Sequence, residues 1–133
     1  MTYQGYAAAL NVTTGSLIWQ RKMSSFAGLT VDANNVYIST TKSHVVALDR
    51  LTGSTVWTQH ALLGRKLTAP VIYNGAIVVC DGEGYVHFLS AQNGHFVARL
   101  YVDRRGVTAP AITAQGKLFV YGDSGRLSAY AGS

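Results

Sequence analysis

Short apolar runs, bounded by turn-forming residues, recur along the whole chain at an almost fixed spacing. "VYIS" at 36–39, "IVVC" at 77–80 and "LFVY" at 118–121 each begin 41 residues after the one before, and each follows a turn: "DANN", "YNG" or "AQG". "LTAP" at 67–70 returns as "VTAP" at 107–110, and "SHVVALD", "GYVHFLS" and "GRLSAYA" follow the three runs at nearly constant offset. In the middle repeat, β-prone runs fall at roughly 68–73, 76–80, 85–89 and 95–101, separated by "NG", "DGEG" and "AQNG". Those separators are hairpin connections by composition. No window of a dozen residues carries helical periodicity. Four antiparallel strands in a unit of about 40 residues predict a β-propeller blade. The expected fold is all-β: a partial propeller of about three four-stranded antiparallel blades. Residues 1–25 end one blade, 26–64 and 65–105 each make a full blade, and 106–133 make an incomplete one.

One phrase is written twice. "ALNVTTGSLIW" at 9–19 and "ALDRLTGSTVW" at 47–57 share Ala, Leu, Thr-Gly-Ser and Trp, with Asn11 answering Asp49. Each copy falls between the third and fourth strands of a predicted blade. Asn11 and Asp49 can accept hydrogen bonds from backbone N–H groups of such a turn. Gly15 and Gly53 supply a positive φ that a residue with a Cβ resists. Trp19 and Trp57, four residues on, are placed to wedge between neighbouring blades and bury about 200 Å² each. The phrase repeats because the blade repeats, so it predicts a structural unit and not a duplicated ligand site.

Composition narrows the class. The chain is 48% hydrophobic and 13% charged, too apolar to be disordered. No apolar run approaches the roughly 20 residues of a membrane helix. The opening "MTYQGYAAAL" already reads as a strand, which predicts a longer parent chain. Cys80 is the sole cysteine, excluding an intrachain disulfide or a cysteine-rich metal site, and its apolar strand predicts a buried, inert thiol.

The pattern A-L-[DN]-x-x-T-G-x-x-x-W resembles the repeat signature of the pyrroloquinoline-quinone-type (PQQ-like) propellers, which are built like WD40 blades. "LTAPVIYNGAIVVCDGEGYVHFLSAQNGHFVARLYVD" at 67–103, with "VWTQHALLGRKL" running into it, resembles the C-terminal blades of the BamB family. That family comprises lipoprotein propellers of the bacterial outer-membrane β-barrel assembly machinery. The resemblance extends over essentially the whole chain, including the third unit, where Ala98 stands in place of the tryptophan. It implies an eight-bladed parent, a lipid anchor on the periplasmic face of the outer membrane, and a non-enzymatic scaffold for envelope proteins. The implied partners are BamA, through its POTRA repeats, other machinery proteins and unfolded outer-membrane protein clients. No position here matches the loops through which the family is known to contact BamA.

The rival readings are another PQQ-like repeat binding module and a fragment of a PQQ-dependent quinoprotein dehydrogenase, the latter the only one that requires catalysis. That chemistry needs a hard-cation site of converging oxygens, a catalytic carboxylate and a platform for the quinone. The six acidic residues show no such spacing, "DGEG" at 81–84 lacks the third glycine and helix of a dinucleotide fingerprint, and pairing across "AQN" sets His95 opposite Ser90 instead of His87. No cofactor, metal or catalytic residue is expected.

Charge adds the remaining candidates. Eleven Lys and Arg oppose six acids, a formal +5, yet the aromatics lie in strands, which argues against a nucleic-acid binder. Arg21-Lys22, Arg65-Lys66 and Arg104-Arg105 are each expected in connections from the outer strand of one blade to the inner strand of the next. Arg65, Lys66, Arg104 and Arg105 are the candidate partner-binding residues, on a basic face aimed at an acidic partner. The half-blades at either end predict open edges through which two chains could associate.

Overall fold

The structure is a computed structural model and describes residues 5–10, 17–23, 27–62 and 65–131. Thirteen strands and no helix occur among them. Strands β1 (Gly5–Leu10) and β2 (Leu17–Met23) pair as one ribbon. A four-stranded sheet follows, from β3 (Gly28–Val31), β4 (Asn35–Ser39), β5 (Val45–Asp49) and β6 (Thr55–Gln59). Another contains β7 (Val71–Tyr73), β8 (Ala76–Cys80), β9 (Tyr85–Ser90) and β10 (Phe96–Tyr101). The last has β11 (Ile112–Ala114), β12 (Lys117–Tyr121) and β13 (Leu127–Ala131). Every pairing is antiparallel between sequence neighbours, the up-and-down order of a propeller blade.

In the third sheet the second strand, β8, is apolar throughout and fully buried from Ile77 to Cys80, because both its faces are covered. Ile77 and Val79 of β8 pack into a cluster with Tyr37, Val45, Trp57 and Leu89, between the second and third sheets. Val78 and Cys80, pointing the other way, join Val86, Val107, Leu118 and Val120 between the third and fourth sheets. Val36, Ile38 and Leu48 meet Trp19 on the opposite side of the second sheet. The core is thus a series of layers between blades, with no single centre.

The duplicated phrase is half of a joint between blades. Asp49 Oδ1 accepts the backbone N–H groups of Leu51 (2.8 Å) and Thr52 (3.0 Å), and the N–H of Gly53 (φ 76°) closes on Asp49 O. Trp19 lies on that glycine and donates from Nε1 to Arg50 O at 2.7 Å. Trp57 repeats the contact one blade later, lying on Gly94 and donating to Ala91 O at 3.0 Å. Two residues beyond each tryptophan a second donor completes the joint: Arg21 reaches Gly53 O (2.6 Å) and Gln59 reaches Gly94 O (2.9 Å). A β-bulge sets up the geometry. The register shifts just before Trp19, Trp57 and Ala98, leaving Ile18, Val56 and Val97 unpaired and exposed. In β10 both donors are gone, with Ala98 and Leu100 in their places. Asn11 and Gly15, the other half of the first phrase, lie outside the described residues.

Candidate functional site

Alternating strand direction brings two kinds of connection to one face. The β6–β7 connection, the β8–β9 hairpin, the β10–β11 connection and the β12–β13 hairpin lie side by side there. Backbone bonds stitch them together: Gly82 N–H to Arg65 O (2.8 Å), Val107 N–H to Asp81 O (3.0 Å) and Asp123 N–H to Gly106 O (2.9 Å). Fixed in this way, the loops present side chains from three successive sheets on one rigid surface.

The paired basic residues are distributed over this surface differently from the sequence expectation. Arg21 and Lys22 are not in a connection. They lie on β2, opposite Ala7 and Tyr6, because that strand runs on to Met23, and the Arg21 guanidinium is occupied in the joint between blades. Arg65 is in its predicted connection but points inward. It pairs with Asp81 Oδ2 at 3.2 Å and Glu83 at 3.7 Å and lies over the Tyr85 ring. Lys66 is exposed, its backbone N–H held by Ser43 Oγ at 3.1 Å.

Arg104 and Arg105 are exposed and reach solvent. They border a cleft of about 680 Å³ with Tyr101, Asp103, Ser124 and Arg126. Asp103 is only 3% exposed and organises the cleft. Its carboxylate accepts the backbone N–H of Arg105 (2.9 Å) and both the N–H (3.0 Å) and hydroxyl of Ser124, tying the β10–β11 connection to the β12–β13 hairpin. The Ser124 hydrogen bond, the Arg105 N–H and nearby Arg126 hold this carboxyl below its ordinary range. With Asp103 consumed internally, none of Arg104, Arg105 and Arg126 has a carboxylate at ion-pair distance among the described residues. The structure therefore brings Arg104 and Arg105 together with Arg126 and assigns Arg65 to an internal ion pair. Arg126 was detectable as the basic residue of "GDSGR", a hairpin that the blade geometry places on this same face; as a single charge it escapes a search for pairs.

Behind the surface, Asp81 is fully buried. It accepts the backbone N–H groups of Glu83 (2.9 Å) and Tyr85 (3.0 Å) and lies 2.6 Å from Nε2 of buried His87. Burial pushes its carboxyl up, but the His87 and Tyr85 hydrogen bonds and Arg65 outweigh this and hold it below the usual carboxylate range. Cys80, also buried, is pushed up to about 12 by that burial. Among the described residues, no three His, Cys, Asp or Glu side chains converge as a metal site.

The family described as outer membrane protein assembly factor BamB matches residues 3–133. An outer membrane protein assembly factor BamB from Pseudomonas aeruginosa is 42% identical over 130 residues, covering 98% of this chain and 34% of its own length. Among solved structures, BamB from Moraxella catarrhalis superposes with a TM-score of 0.86 at 32% identity, over 94% of this chain and 37% of that one. The quinohemoprotein alcohol dehydrogenase of Comamonas testosteroni superposes at 0.71 with 17% identity, over 88% of this chain and 26% of that one, a likeness of fold alone. The chain spans about a third of the length of the assembly-factor relatives.

Proposed function

Since the chain belongs to the BamB family of outer membrane protein assembly factors, we propose that it is part of a non-enzymatic docking scaffold. It serves outer-membrane β-barrel assembly from the periplasmic side, in a protein held to the membrane by a lipid anchor. The partner is an acidic segment of the assembly machinery, with the POTRA repeats of BamA as the first candidate and unfolded barrel clients as the second. The observation carrying this reading is the loop face with its arginine cleft, where three guanidinium groups, none with a carboxylate at ion-pair distance among the described residues, stand beside a satisfied carboxylate. Arginine forks suit carboxylates, and clustered charge chiefly raises the rate of encounter.

The test is kinetic. Arg104→Glu, Arg105→Glu and Arg126→Glu are combined, and association of the full-length protein with a soluble POTRA segment is followed at low and high salt. The expected result is an on-rate lowered about tenfold or more at low salt, with a flattened salt dependence and a retained β-sheet circular dichroism spectrum. An unchanged on-rate in the folded triple variant overturns the electrostatic role of this cleft.

A further inference from the structure

A second cavity, between the second and third sheets, plays no part in the docking reading. It is a cleft of about 290 Å³ lined by Ala61, Leu62, Arg65, His87, Phe96 and Arg99. Ala61 and Leu62 come from the β6–β7 connection and give it an apolar wall, with Phe96 of β10 completing that side. Arg99 and His87 are direct partners across the β9–β10 ladder. The neighbouring Tyr85 ring holds the Arg99 guanidinium at 4.7 Å and that of Arg65 at 5.5 Å.

Two features of this lining are unfinished. Arg65 is neutralised by Asp81 and Glu83, whereas Arg99 has no carboxylate at ion-pair distance among the described residues. His87 is 1% exposed, and while Nε2 meets Asp81, Nδ1 is buried with no hydrogen-bond partner among the described residues. Buried polar side-chain atoms are nearly always paired in folded proteins. An unpartnered one in the lining of a cleft, beside an unpaired guanidinium, marks a place for a ligand.

We propose that this cleft binds a carboxylate carried on a short apolar body. The carboxylate accepts hydrogen bonds from the Arg99 guanidinium and from Nδ1–H of His87, and the apolar body packs on Leu62 and Phe96. His87 then lies between two carboxylates, that of Asp81 and that of the ligand, with a proton on each ring nitrogen. The charges balance: Asp81, Glu83 and the ligand against Arg65, Arg99 and the imidazolium. The volume suits a group the size of one or two side chains. Such an acid is either a free small molecule or the acidic residue of an extended protein segment.

The test uses the full-length protein and two pairs of probes. Benzoate is compared with benzamide, and a capped apolar pentapeptide bearing a central Glu is compared with its Gln counterpart. Affinity is read by calorimetry, and the His87 ring by its ¹⁵N shifts. The expected result is saturable binding of at least one acid and neither amide, with both His87 nitrogens protonated in the complex. Arg99→Gln, on an exposed strand position, weakens binding about tenfold or more, the loss of one charge-assisted contact. Binding of the peptide identifies a protein segment as the source, and binding of benzoate alone identifies a free acid. The proposal is overturned if neither acid saturates, if the amides bind equally well, or if Arg99→Gln leaves the affinity unchanged.

Discussion

Gly94→Ala is the sharpest probe of the joint between blades. Gly94 has φ 77°, and a Cβ built there would lie 2.4 Å from Cε3, 2.7 Å from Cδ2 and 2.8 Å from Cζ3 of Trp57. Two costs arise. Alanine in the left-handed region loses about 1–2 kcal/mol. The new methyl also overlaps an indole that cannot move freely, since it is 8% exposed and bonded to Ala91 O. Overpacking of that kind adds about 1–3 kcal/mol. Gly75, in the turn between β7 and β8, separates the two costs: its φ is also 77°, but nothing lies within 4 Å of a Cβ there. Gly75→Ala should therefore lose only the conformational part. Denaturant unfolding of both variants, with matched slopes, gives the difference. A double-mutant cycle completes the argument. In a Trp57→Leu background, Gly94→Ala should fall to the cost of Gly75→Ala, giving a coupling of about 1–3 kcal/mol. Equal losses for Gly94→Ala and Gly75→Ala in the parent, or zero coupling in the cycle, would refute the account of the joint.

Acid should act in two windows. His44 is held below its ordinary 6.5 by burial, His60 and Lys42, so the unfolded chain binds that proton first and stability begins to fall as pH drops below 6.5; His44→Gln should remove this limb. Asp103 is lowered by the Ser124 hydrogen bond, and in Asp32 and Asp81 hydrogen bonds override burial, so a steeper loss is expected below 3.8, followed by tryptophan fluorescence against pH. Cys80 should resist thiol reagents in the native protein and label at the rate of unfolding, because burial raises it to about 12; fast stoichiometric labelling at neutral pH would contradict its burial. Gln59→Ala, removing the 2.9 Å bond to Gly94 O across the joint and the 2.9 Å bond that Oε1 accepts from the Ala61 N–H, should lower stability by about 1–3 kcal/mol in calorimetric melting.

The blades were legible in the sequence because their determinants are local. Turn residues such as Asn74-Gly75, the apolar run Ile77–Cys80 and the Asp49 turn sit within a few residues of the structure they dictate. The tryptophan of the joint was legible too, since a repeated letter marks it. Its companion was hidden: Arg21 and Gln59 donate to matching carbonyls but share no side-chain chemistry beyond an N–H, so no letter repeats. The reversal at Arg65 was hidden for another reason. Arg65 and Asp81 are brought together by the fold across 16 residues, and nothing near Arg65 in the chain signals the partner. The arginine cleft likewise gathers Arg104, Arg105 and Arg126 from two elements, so charge counting along the chain located two of the three.

The joint has a consequence for how the polypeptide acquires its structure. Trp19 reaches Arg50, Trp57 reaches Ala91, and Arg21 and Gln59 reach Gly53 and Gly94, each across a separation of 31 to 35 residues. Every tertiary bond of this type therefore spans less than one repeat, and loop closure over so short a distance carries a modest entropic cost compared with the long pairings of most all-β proteins. A chain emerging N-terminus first can close each joint once the next hairpin has appeared, without waiting for the far end. Ordering then advances like a zipper, one repeat at a time, and the apolar surface awaiting cover at any moment is a single blade's flank.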